Sequence, residues 1–429
     1  MITSQDDEET PLLQQPEQSI ANLKTPLPWD QFWILLFLQI PDPLVLGTLS
    51  PLAPQLIRDI GVTNGDESQV GHYVGVLHSS YYVAQIVTIL YLSQLSDRIG
   101  RKPLIMTALF VIALTMLSFG LSRTFLGLLV RFVCHIHSRH HLSIADILIS
   151  RIICGTFSGG DGLVKNALMD ITDATNLPKA YGYMPLPWML AAIIGPLVGG
   201  SLFRPADRFP EIFGRSELLK TYPYLLPCAV PAVFATVCCL VTSFHLNESI
   251  PTRTPLWELI KEWLPRQSYA KPSMPSSDVL ASSGEAHFEE VPSKPLPLRA
   301  VLTPRVRAAA ASYCTLTLFY IAVFSILPLF YATPIELGGL SLDPPRIGAI
   351  LAASSFSHGA VQLLFFSRLH DRFGPGALNI AGVSSGIPIV MLFPVINALA
   401  RAHGLGLMVW LLVGVQLGLM AILAMCYCM

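Results

Sequence analysis

The stretch SQLSDRIGRKP, residues 93–103, sets Asp97, Arg98, Arg101 and Lys102 between two long apolar runs. A weaker echo, SRLHDRFGPG at 367–376, also sits between apolar runs. The echo keeps Asp371 and Arg372 and replaces the Arg-Lys pair with Pro-Gly. Each turn follows the second apolar run of its half of the chain. A charged turn recurring at matching places points to two similar halves joined in one polypeptide.

Composition says what surrounds the turns. The 429 residues are 52% hydrophobic and 13% charged, with a mean hydropathy of +0.55. A soluble domain carries about 25% charged residues. A water-soluble fold could not hide this much apolar surface, and about 20 apolar residues suffice to cross a bilayer. Ten spans are read, at about 32–53, 70–93, 104–122, 147–168, 183–203, 223–244, 308–332, 346–367, 376–397 and 405–428. All should be helical, because unpaired backbone cannot sit in lipid. The expected class is therefore an all-α polytopic membrane protein in contact with a lipid bilayer.

Net charge is −1, which gives no reason to expect nucleic-acid binding. The eight cysteines sit mostly inside apolar runs and form neither a zinc pattern nor a disulfide framework. The acidic, polar N-terminus lacks the basic and apolar regions of a cleaved signal. No nucleophile motif, phosphate loop or cofactor fingerprint is found, so neither an enzyme nor a cofactor is expected.

The organisation follows. Residues 1–31 form an N-terminal tail, 32–244 a six-helix half, 245–305 a polar linker, and 306–429 a second half with four helices. The linker contains the Pro- and Ser-rich KPSMPSSDVLASSGEAHFEEVPSKPLP, read as disordered. Within it, Leu256, Trp257, Ile260, Trp263 and Leu264 fall on one helical stripe, read as an interfacial helix. The Lys/Arg bias puts the N-terminus and the linker in the cytosol, although Arg204, Arg208, Arg215 and Lys220 lie on the other side. EETPLL at 8–13 fits an acidic dileucine sorting address. A vacuolar or plasma-membrane location is expected.

Three motifs in order carry a family resemblance. SxLSDRIGRKP, with Asp97, Arg98, Gly100, Arg101 and Lys102, resembles the loop signature of the major facilitator superfamily. Ser93 stands where that family usually has Gly. Arg151 and Gly155 resemble its fourth-helix signature. GYMPLPWMLAAIIGPLVGG resembles its fifth-helix antiporter signature through Gly182, Gly195, Pro196, Gly199 and Gly200, with Ala191 in place of one Gly. GGSLFRPADRFPEIF, YPYLLPC, LPLRAVLTP and PLFYATPIELGGL resemble the zinc-induced-facilitator-like group and its fungal relatives.

The resemblance implies the major facilitator fold of 12 helices, of which about ten are read here. It also implies a monomer that exchanges a small-molecule substrate, an organic compound or drug, for protons by alternating access. In that family the loop Asp contacts the eleventh helix. These residues end at the tenth, so a truncated reading frame is expected and Asp97 is expected to be unmatched. The glycine-proline segment lets helices approach closely.

Ionisable residues at membrane depth are functional candidates. Arg151 matches a family position implicated in proton coupling. Asp161 and Lys165 are four apart and share a helix face, where they pair or take part in transport. Asp42 lies between two prolines where the first helix should break, and there it either carries a proton or sits near the surface without a role. His78 and His358 occupy matching helices and are read as packed. RFVCHIHSRHHLSIADILIS, 131–150, interrupts the expected fourth helix and is read as an unspliced insert. Its His135, His137, His140 and His141 are not taken as a metal site. Two alternatives stay open: a zinc or metal-chelate transporter of the same fold, and a non-transporting sensor or inactive truncated product.

Overall fold

A computed structural model describes residues 25–121, 144–173, 175–248 and 303–427. The dileucine address, most of the 131–150 segment with its histidines, and the amphipathic stripe at 256–264 lie outside the described residues. Among the described residues every regular element is a helix and none is a strand.

The first span is two helices, α1 (Trp29–Leu38) and α2 (Pro41–Ile60). The second is α3 (Val70–Ile99) and the third α4 (Arg101–Gly120). The fourth is again two helices, α5 (Ile144–Phe157) and α6 (Gly160–Ile171). α7 (Leu177–Tyr183) leads into the fifth span, α8 (Pro185–Ser201). Three short helices, α9 (Pro205–Arg208), α10 (Pro210–Phe213) and α11 (Glu217–Thr221), precede the sixth, α12 (Leu225–His245). Then come α13 (Pro304–Ala332), α14 (Pro344–His403) and α15 (Leu407–Tyr427).

Among the described residues nine helices are long and apolar enough to cross a membrane. The expected span at 346–367 is not one of the nine, but it is helical and forms the part of α14 before Gly374. The surface shows what solvent these helices face. On α3, Val74, Leu77, Tyr81 and Ala84 are buried while Val83, Ile86, Val87 and Leu90 are exposed. A helix apolar on both its packed and its open face belongs in hydrocarbon.

The two charged turns are corners. α3 runs to Ile99 and α4 starts at Arg101, so Gly100 alone leaves the helical path, at φ 111° and ψ 159°. Gly374 breaks α14 at φ 75° and ψ 163°. Both glycines follow an Asp-Arg-apolar triplet. The sequence repeat is thus also a backbone repeat, at a positive φ that favours glycine.

The chain forms two units. In the first, residues up to Pro251 together with Tyr331–Phe356, α12 packs along α4, α8 along α2, and α3 against α5. One buried cluster gathers Leu52, Ile57, Leu77, Tyr81, Met116, Ile147 and Cys228. Residues 144–150 form the opening turns of α5, where Ile147 is buried and the Ser150 hydroxyl donates to the Thr115 carbonyl at 3.3 Å. The PIELGGL loop belongs to this unit: Leu340 is fully buried and Leu342 N–H donates to Tyr331 O at 2.7 Å. In the second unit, Phe330 meets Phe393 edge-on at 4.8 Å, and the Gln416 amide donates to Ile389 O at 3.3 Å.

Candidate functional site

Two helix breaks meet inside the first unit. The first span is interrupted at Gln39-Ile40, and Asp42 occupies the first turn of α2. Prolines explain the position. Pro41 and Pro43 lack the N–H that would continue the helix, and Pro is tolerated where a new helix begins. The fourth span is interrupted at Ser158-Gly159. Ser158, fully buried, donates its hydroxyl to Asp42 Oδ1 at 2.5 Å. Tyr81 of α3 completes the group: its hydroxyl pairs with Ser158 Oγ and donates to Asp42 Oδ1 at 3.4 Å. Arg151, 4% exposed, lays its guanidinium 5.0 Å from the centre of the Tyr81 ring. Asp42 and Arg151, picked from separate parts of the sequence, therefore meet on one tyrosine. A cavity of about 10 Å³ touches Asp42, roughly enough for one water.

The other two candidates are less defined. Asp161 stands in the first turn of α6, and its side chain lies outside the described residues. Lys165 is one turn further along and half-buried.

The Gly100 corner holds a second polar group. Arg101 is 8% exposed. It donates through Nη1 to Asp97 Oδ1 at 2.5 Å and Ser96 Oγ at 3.1 Å, and through Nε to Asp170 Oδ2 of α6 at 3.0 Å. Asp97 is therefore not unmatched: its partner is Arg101, four residues on. That spacing puts both on one side of the corner. The start of α4 is capped by a different acid. Glu248, just past α12, accepts from Arg101 N–H at 2.7 Å. Its carboxylate lies 2.6 Å from where a Cβ on Gly100 would sit, but a flexible side chain can shift, so it is the positive φ of 111° that calls for glycine. Lys102 donates to Ser243 O at 2.9 Å. A cavity of about 240 Å³ opens beside Gln31, Arg101, Asp170 and Glu248. In the second unit, Arg372 lies 5.5 Å from the Phe373 ring. The Asp371 side chain lies outside the described residues.

The glycines of the fifth span do different things. A Cβ on Gly195 would fall 2.9 Å from Gly47 Cα, and one on Gly47 would fall 3.1 Å from Pro196 Cδ. Gly199 sits against the Thr48 carbonyl, and a Cβ on Gly200 would meet Gly348 Cα at 3.1 Å. Gly182 has open space around it.

Sequence reasoning missed Ser158, Glu248 and a network at the end of α2. There the Arg58 Nε–H is shared between the two Glu67 carboxylate oxygens at 2.9 and 3.1 Å, and Nη2 donates to Ala332 O at 2.8 Å. Next to it Asp59 accepts from Tyr224 at 2.5 Å and Arg204 at 2.9 Å. Burial, then the Asp59 charge, pushes the Tyr224 phenol well above its usual range, so it stays a donor. The FSGGDG run at 157–162 is the signal that could have located the fourth-span break.

The sequence profile of the Major Facilitator Superfamily matches residues 35–429. The chain belongs to the Major Facilitator Superfamily. As a member of that superfamily it is an integral, multi-pass membrane protein. It is similar to the major facilitator-type transporter psiT2 of Psilocybe cyanescens, with 29% identity over 81% of this chain and 64% of that one. It is similar to the efflux pump azaK of Aspergillus niger, with 29% identity over 78% of this chain and 58% of the pump. It is also similar to protein ZINC INDUCED FACILITATOR 1 of Arabidopsis thaliana, with 25% identity over 89% and 73%. The chain thus spans less than two thirds of the length of psiT2 and azaK. The human organic anion transporter MFSD10 shares the superfamily fold, at a TM-score of 0.54 and 17% identity, over 94% of this chain and 84% of that one.

Proposed function

We propose that this chain carries a small organic compound out of the cytosol in exchange for protons, by alternating access. One observation carries the reading: the Asp42 carboxylate lies between two helix breaks in apolar spans and shares Tyr81 with the Arg151 guanidinium. Broken helices at membrane depth are where transporters build their sites, and an intramembrane acid is kept for a task. Asp42 takes a proton from water at one face and releases it at the other. Arg151 is permanently charged. It lies against the same tyrosine as Asp42, so proton and cargo can alternate at one place. Exchange needs the two facing states to differ in their affinity for the proton. The printed description of azaK as an efflux pump supports the export direction. The Lys/Arg bias supports placing the Gly100 corner and the N-terminus in the cytosol. A single chain is taken as the working unit.

The likeness to ZINC INDUCED FACILITATOR 1 supports a second reading, in which zinc or a metal chelate is the cargo. Purified protein in lipid vesicles separates the two. With a pH gradient imposed, gradient-dependent movement of ethidium or tetracycline supports organic cargo. Gradient-dependent movement of zinc alone supports the second reading. No movement of any probe would make the chain a non-transporting member of the family.

A further inference from the structure

The break in the fourth span is held more firmly than a proton carrier at Asp42 requires. Gln85 of α3 donates to Ser158 O at 2.7 Å, and Thr88 donates to Thr156 O at 2.9 Å. Two carbonyls at the break are thus paired by side chains, as backbone in lipid must be. Ser158 forms the joint. Its carbonyl is fixed by α3, its hydroxyl by Asp42 of α2 and Tyr81 of α3. Beyond it α6 runs for 12 residues, about 18 Å at 1.5 Å per residue. Near its far end Asp170 grips Arg101 of the Gly100 corner. One short helix therefore has Asp42 at one end and the charged corner at the other.

We propose that Ser158 is the positioning residue that makes the seating of α6 depend on whether Asp42 carries a proton. The assignment rests on the reading of Asp42 as the group that takes up protons. An ionised carboxylate only accepts hydrogen bonds, so the Ser158 O–H must point at it. The one Tyr81 O–H hydrogen is then shared between the Ser158 oxygen and the Asp42 carboxylate. When a hydronium ion passes a proton to an Asp42 oxygen, one O–H bond forms on the carboxyl, one breaks in the hydronium, and water leaves. A charge-assisted hydrogen bond becomes a neutral one, roughly half as strong. The joint loosens, and α6 gains freedom to move against the corner it holds through Asp170.

Other groups lie around Asp42 and Arg151. α3 brings Tyr81, Tyr82 and His78, and α5 brings Arg151 and Cys154. Cys228 of α12 lies within the field of Arg151. α4 and α6 turn apolar side chains to it, among them Ile105, Ile112 and Val164, with Lys165 next along α6. Of these His78 is the group whose ordinary titration lies nearest neutrality, so it needs its own control.

The test is amide hydrogen exchange of residues 160–171 in the full chain in lipid nanodiscs, at pH 5.5 and pH 8, corrected for the intrinsic rate. Exchange in the wild type should be about tenfold faster at pH 5.5, the step from a charged to a neutral hydrogen bond. Asp42→Asn should exchange fast at both pH values. Ser158→Ala should lose the pH response, Ser158→Thr should restore it, and His78→Gln should keep it. A wild type without pH response overturns the assignment. So does a Ser158→Ala that keeps the wild-type response, or a His78→Gln that abolishes it. If vesicles show no gradient-driven flux while this pattern is found, the transport reading falls and the role of Ser158 stands.

Discussion

Adding one methyl group at Gly195 should destabilise this protein, while the same change at Gly75 should stabilise it. A Cβ on Gly195 would lie 2.9 Å from both Gly47 Cα and Gly47 C, and 3.0 Å from Thr48 N. Carbon atoms pack best at about 3.5–4.0 Å, so α2 and α8 must part by about 0.6–1 Å. The obstacle is backbone and has no rotamer to change. Overpacking of this kind costs about 1–3 kcal/mol. The better helix propensity of Ala returns about 0.5–1 kcal/mol, leaving a net loss of up to about 2.5 kcal/mol. Gly75 lies on the exposed face of α3 with nothing within 4 Å of its would-be Cβ. There only the propensity gain of about 0.5–1 kcal/mol remains. Thermal unfolding of each variant in detergent, followed by size-exclusion of the surviving fraction, should give midpoints displaced in opposite directions. A Gly195→Ala variant at or above the wild-type midpoint would refute the close-crossing argument. So would two variants that move the same way.

Arg101→Lys should lose about 1–3 kcal/mol, because an ammonium cannot reach Asp97, Ser96 and Asp170 in the fixed directions of a guanidinium. A double-mutant cycle with Asp170→Asn should then show non-additivity of at least about 0.5 kcal/mol. Tyr224→Phe should cost about 1–3 kcal/mol, as Asp59 loses a buried donor; a measured loss below the error of the unfolding assay would count against that contact. Thr175, then Thr25, with the Thr175 and Asn176 amides, hold the exposed Asp173 carboxyl down at about 2. Its folded value lies below the unfolded one, so its contribution is full above about pH 4. It is lost as pH falls through about 2. The difference in unfolding midpoint between wild type and Asp173→Ala should therefore narrow between those limits.

What the sequence made legible follows physical range. Apolar run length is local, so the helices were readable, and so was the recurrence of a corner now seen at Gly100 and Gly374. The Asp42 break was readable because two prolines flank one acid. The Ser158 break was signalled by FSGGDG but masked by the apolar residues around it. Partners were harder. Asp97 was expected to stand alone because a distant helix was sought, whereas its partner is Arg101, one turn away. Glu248 caps α4 from 147 residues further along the chain. Tyr224 and Arg204 reach Asp59 across 165 and 145 residues. Such pairings depend on which helix faces meet, and helices apolar on all sides carry little periodicity to say which face turns inward.

Proton exchange in the proposed cycle depends on Asp42. The direct measurement loads proteoliposomes at pH 5.5, dilutes them into pH 8, and follows ethidium and tetracycline uptake. Wild-type protein should accumulate at least one probe, and nigericin should abolish the accumulation. Asp42→Asn should fail to accumulate it while still equilibrating the same probe down its own gradient, because coupling is lost and passage is not. An Asp42→Asn protein that accumulates the probe to the wild-type level under the same pH gradient would contradict the central claim.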